Sequence, residues 1–232
     1  MAASPDRDGV DHSRLIILAD TDIILKLCAC NLIEEAIMSL GALPAMTRVL
    51  PTARFKIARS NKLIPRYTRA GVTRALAFVR TCASVEPGAH LADRMAGLLR
   101  PGIDEGEALL MASAADFPDS LLATGDKKSL LTLCENPMEN REIRSLLAGR
   151  VICFEALLLR LIHHEQVGFE RVRESVVAGL LTEQREATRD VTMAVVFSQR
   201  MKSNQVDVED KLRSYLNHLR SQTGDLLGDF EG

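Results

Sequence analysis

The feature that most constrains this chain is a short apolar run, Leu15-Ile16-Ile17-Leu18-Ala19. It stops at Asp20-Thr21-Asp22 and passes into a helical pattern from Ile23 to Cys30. A strand with no polar alternation is buried on both faces, and that is the habit of a parallel sheet covered by helices. Two later segments repeat the pattern: Ser120 to Thr124 stops at Gly125-Asp126, and Val151 to Phe154 follows Gly149. Short strands alternating with helices up to about residue 155 predict an α/β fold with a central parallel sheet.

After Glu155 the pattern is helical throughout. The segments are Ala156 to His164, Phe169 to Leu181, Glu186 to Met201 and Val208 to Arg220. The 232 residues therefore divide into a leader at 1–13, an α/β domain at 14–155, a helical extension at 156–223 and a loose tail at 224–232. Apolar stripes in the extension, such as Val172, Val176, Val177 and Leu180, suit packing on the parent domain or docking of a partner or a second copy. Met1 to Ser13 lacks the basic start and apolar stretch of a signal peptide, and no apolar run approaches the ~20 residues of a membrane span. A cytoplasmic protein without a membrane partner is expected. The five cysteines form no CxxC pair, so neither a disulfide framework nor a structural zinc site is indicated.

The net charge of −2 is uninformative, but its distribution is not. From Ala36 to Val85 there is no Asp or Glu. The same stretch carries Arg48, Arg54, Lys56, Arg59, Lys62, Arg66, Arg69, Arg74 and Arg80. Such a segment suits contacts with a phosphate backbone. Trp is absent and aromatic residues make up 4%, which argues against recognition by base stacking.

Three acids share a position in this scheme. Asp20 follows the first strand and Asp126 follows the strand at Ser120 to Thr124. Glu107, the third, opens a mid-chain helix in capping-box spacing with Asp104. Ligand sites of parallel α/β sheets gather at the carboxyl ends of the strands. Carboxylates brought together there raise one another's pKa unless a cation is present, and oxygen-only ligation suits Mg²⁺ or Mn²⁺. Alternatively, each acid merely caps the helix that follows it.

Taken in order, Leu15 to Ala19 with Asp20-Thr21-Asp22, then Gly106-Glu107-Ala108 opening an alanine-rich helix, then Leu121-Leu122-Ala123-Thr124-Gly125-Asp126-Lys127, resemble the motifs of the PIN-domain ribonucleases. The resemblance covers roughly residues 14–155. It implies a three-layer fold and Mg²⁺- or Mn²⁺-dependent hydrolysis of RNA. It assigns catalysis and metal binding to Asp20, Glu107 and Asp126, beside which Thr124 is expected to orient water or a ligand. It also implies toxin-like action with a cognate antitoxin, and homodimers. The family usually carries a further acid after the second strand, whereas Pro44 to Ile57 holds none, leaving Asp22 and Asp104 as supplementary ligands. Arg54, Arg59, Arg66, Lys127 and Lys128 are the expected RNA contacts. The alternative is a non-catalytic RNA- or protein-binding module on the same fold. Asp20-Thr21-Asp22 also has the spacing of the nucleophile pair of haloacid dehalogenase-like phosphatases, but Ile23-Ile24 does not fit that motif.

Overall fold

Each apolar run is a strand. β1 (Ile16–Ala19), β2 (Thr47–Val49), β3 (Ala83–Ser84), β4 (Ser120–Thr124) and β5 (Val151–Cys153) form one sheet in the order β3-β2-β1-β4-β5. All four pairings are parallel, with Ile17 opposite Thr47 on one side and Leu121 on the other. Every residue of β4 is buried, which is why its sequence shows no alternation. The fold is that of a computed structural model describing residues 15–86, 88–136, 138–181, 190–197 and 204–230. The expected leader at 1–13 lies outside the described residues, as do both ends of the helix expected at 186–201.

The strand order creates a switch point. From β1 the chain steps outward to β2 and β3, then returns to lay β4 on the opposite side of β1. The crevice between the carboxyl ends of β1 and β4 is where such a sheet binds ligands.

The helices are α1 (Thr21–Cys30), α2 (Ile33–Ser39), α3 (Ala53–Arg59), α4 (Leu63–Tyr67), α5 (Arg69–Thr81), α6 (Leu91–Leu98), α7 (Glu105–Asp116), α8 (Lys127–Glu135) and α9 (Arg141–Leu147). Beyond β5 come α10 (Phe154–His163), α11 (Gly168–Leu180), α12 (Val191–Val196) and α13 (Gln205–Thr223). α1 is the central helix, packed against both α5 and α11. Two glycines permit this. A Cβ on Gly71 would stand 2.8 Å from the Ala29 Cα, and one on Gly179 would stand 2.7 Å from the Ala29 carbonyl. The three helices thus meet backbone against backbone.

The C-terminal helices share the core of the sheet. α10 packs on α2 and α11, and α13 on α8 and α10. Val172, Val176, Leu180, Met193 and Val196 are buried there, while Val191 and Val195 remain exposed. The tail expected to be loose is not so over its described part. Leu226 and Leu227 are buried, and Leu227 bridges Val151 in parallel. The Val151 amide donates to the Leu226 carbonyl at 3.1 Å, and the Gly228 amide to the Val151 carbonyl at 3.0 Å. The outer edge of β5 is thereby covered. No helix among the described residues is long and apolar enough to cross a membrane.

Candidate metal and nucleic-acid site

Asp20 stands at the carboxyl end of β1, where it precedes the first turn of α1. Asp126 stands after β4. Its Oδ1 accepts from the amides of Lys128 and Ser129 at 2.8 and 3.1 Å, capping α8, and its own amide donates to Thr124 Oγ1 at 3.0 Å. The hydroxyl of Thr124 therefore sets the turn that aims Asp126. Asp104 and Glu107 form the expected capping box: Oδ1 of Asp104 accepts from the Glu107 amide at 2.9 Å, and Oε2 of Glu107 from the Asp104 amide at 2.8 Å. Helix capping is thus one role of Asp104, Glu107 and Asp126, worth about 1 kcal/mol per cap, whereas the Asp20 side chain makes no cap hydrogen bond to α1.

It is not their whole role. Glu107 and Asp126 share a side-chain hydrogen bond. Burial, with that hydrogen bond and the nearby charges of Asp126 and Asp104, pushes the Glu107 carboxyl up to about 8. Burial raises Asp126 too, but the hydrogen bond from Glu107 and the two capping amides outweigh it and hold the group below its ordinary value. Of the two, Glu107 holds a proton the more firmly and Asp126 ionises the more readily. Asp20 is raised to about 6, first by burial, then by the charges of Asp22 and, more weakly, Asp126. The Asp126 charge thus opposes the ionisation of both Glu107 and, more weakly, Asp20. As these side chains stand, no group of three or more His, Cys, Asp or Glu among the described residues is placed to hold a metal ion.

Asp22 is engaged elsewhere. Its Oδ2 pairs with Lys26 at 3.1 Å, its Oδ1 accepts the Tyr67 hydroxyl, and Arg66 lies 3.7 Å away. Gly125 is the space its side chain needs, because a Cβ there would collide with Oδ2. Lys26, 6% exposed, also pairs with Asp190 at 3.2 Å, and Asp190 caps α12 through the Met193 amide. Burial alone would lower the Lys26 pKa, but Asp22, Asp190 and Glu155 raise it, so the ammonium stays charged. Lys127 turns inward to Glu155, which is 1% exposed, and lies 4.3 Å from the Tyr215 ring centroid. Lys128, by contrast, is exposed. Two internal ammonium groups thus hold the acids on the α1 and α10 side of the crevice and tie the C-terminal helices to it.

Lys26, Glu155, Asp190, Tyr67 and Tyr215 were not expected at this edge. Only Lys26, four residues after Asp22 on one helix face, carried a local signal. The others arrive from distant parts of the chain.

The acid-free segment folds as β2, α3, α4 and α5. Arg54, Lys56, Arg59, Lys62, Arg66 and Arg69 are exposed along it. Arg74 is not free for a ligand, since its guanidinium donates to the Cys28 and Ala29 carbonyls at the end of α1. α3 adjoins the head of α7: the Lys56 ammonium is 3.8 Å, and Leu50 Cδ1 2.9 Å, from where a Cβ would stand on Gly106. The basic surface therefore borders the Glu107 end of the crevice. Comparison of the chain with family models, with curated proteins and with solved structures returns no match.

Proposed function

We propose that this protein is a Mg²⁺- or Mn²⁺-dependent ribonuclease with a PIN-like three-layer fold, with its site at the carboxyl ends of β1 and β4. The observation that carries the reading is the set of acids at the sheet's switch point beside an acid-free basic surface: Asp20 and Glu107, both pushed above the usual carboxylate range, with the ionised Asp126 contributing to each shift. The donor set is oxygen only, which fits a hard divalent cation. Loading an ion requires the carboxyls to turn toward one another and Glu107 to lose its proton. A bound divalent cation supplies an activated water and neutralises charge on the phosphodiester. The chain's own residues do the rest. Thr124 fixes the turn carrying Asp126, and in this reading its hydroxyl orients the water. Asp22 and Asp104 border the site, Asp22 held in place by Lys26 and Tyr67. Arg54, Arg59, Arg66 and Lys128 guide the polyanion, while Lys127 is committed to Glu155.

A second reading has its own support. The lack of a metal-ready triad among the described residues, and of any acid between Pro44 and Ile57, favours an RNA-binding module that does not cut. Incubation of the protein with total cellular RNA, in Mg²⁺, in Mn²⁺ and in chelator, separates the two. Cleavage dependent on the metal supports the nuclease. Bound but intact RNA at every metal concentration supports the module.

A further inference from the structure

All nine aromatic residues of the chain lie within the described residues, and eight of them are buried or half-buried. The exception is Phe55, 46% exposed on α3. Its ring is the one aromatic face that stands open to solvent among the described residues. Phe55 stands in the middle of the acid-free segment. The guanidiniums of Arg54 and Arg59 lie 4.6 and 5.7 Å from its ring centroid, and Lys56 reaches toward the head of α7.

We propose that Phe55 is the stacking platform for one base of a single-stranded RNA, whose phosphates on either side are taken by Arg54 and Arg59. This rests on the RNA reading above and adds one base contact to it, at a single ring, although the low aromatic content of the chain argues against recognition by base stacking. The physical logic is an exchange. In the free protein the two guanidiniums lie over the ring by cation–π attraction, which is weak at an exposed site. A phosphate offers each guanidinium a stronger, bidentate partner. The ring face so released takes a base, and because every base has a π-face the contact tolerates many sequences. A duplex keeps its bases stacked inside, so the same surface would meet it through phosphates only. Since α3 follows β2 and adjoins the helix bearing Glu107, a base held at Phe55 fixes the strand's register beside the crevice.

The chain has no Trp, so Phe55→Trp creates a single fluorescent reporter. The probes are a single-stranded oligoadenylate, an abasic ribose-phosphate chain of equal length and a duplex RNA, all in chelator so that cleavage plays no part. Oligoadenylate should quench the tryptophan, whereas the abasic chain and the duplex should bind without quenching. Phe55→Ala should weaken oligoadenylate binding by roughly 5- to 150-fold and leave abasic binding unchanged, while Phe55→Tyr should restore it. An unquenched tryptophan with oligoadenylate demonstrably bound overturns the platform and leaves the RNA reading standing. Failure of the wild-type protein to bind any of the three overturns both.

Discussion

The side chains of Glu107 and Asp126 meet at the heads of α7 and α8, and their interaction raises the Glu107 carboxyl while it lowers that of Asp126. Each residue also caps its own helix, so neither can swing away without exposing amides that it satisfies. The pair is thus held together by two helix caps and relieved by one proton.

Stability should record that proton. Glu107 rises from 4.5 to about 8 and Asp20 from 3.8 to about 6 on folding. A native state that binds protons more tightly than the unfolded chain is stabilised by protonation. That contribution is complete below the unfolded values and is lost as pH rises through the folded ones. In chelator the melting temperature should therefore fall between about pH 4.5 and pH 8, with Glu107→Gln flattening the upper part of the fall and Asp20→Asn the lower. A wild-type melting temperature flat across that window would contradict the raised values.

A divalent cation should reverse the loss. Binding to the native state raises its stability by mass action, and the ligands must be ionised to bind. Millimolar Mn²⁺ should raise the melting temperature near pH 8 and do little near pH 5, and Asp126→Asn should shrink the effect. Equal melts with Mn²⁺ and with chelator at the higher pH would count against an ion at these residues.

The internal ion pair gives a third test. Truncating one partner of a buried pair leaves the other charge unpaired, at a cost of about 3–5 kcal/mol. Lys127→Met should incur most of that through Glu155, one of whose carboxyl oxygens already has no hydrogen-bond partner. Adding Glu155→Leu should restore much of the stability. Urea unfolding of both single variants and the double variant measures the coupling. Additive losses would show that the pair is not coupled.

Much of this architecture is legible locally. The strand at Ser120–Thr124 is a continuous apolar run ended by Gly-Asp, and the Asp104–Glu107 box is a spacing. Both are set within a few residues. The buried ties are set by packing between distant segments. Asp190 reaches Lys26 only because α12 docks there, and nothing in the polar sequence around Asp190 marks it. The same holds for the segment 224–230, whose Gly-rich composition reads as a tail although Leu226 and Leu227 are covered beside β5. Lys127 and Lys128 are equivalent in sequence; one turns inward because the buried Glu155 waits for it.

Close packing around α1 should be unforgiving. Gly179→Ala places a methyl against the Ala29 backbone, which cannot give way as a side-chain tip can. The cost should be about 1–3 kcal/mol by urea unfolding. A neutral result would mean that α11 moves freely relative to α1.

The nuclease claim is tested most directly by Asp20→Asn, which is nearly isosteric and removes one negative charge from the crevice. At saturating Mn²⁺ near pH 8, wild-type protein should cleave total cellular RNA and the variant should be slower by roughly 100-fold or more, with RNA affinity equal or higher. Wild-type protein that binds RNA and leaves it intact under those conditions, or a variant that cuts as fast as wild type, would contradict the account.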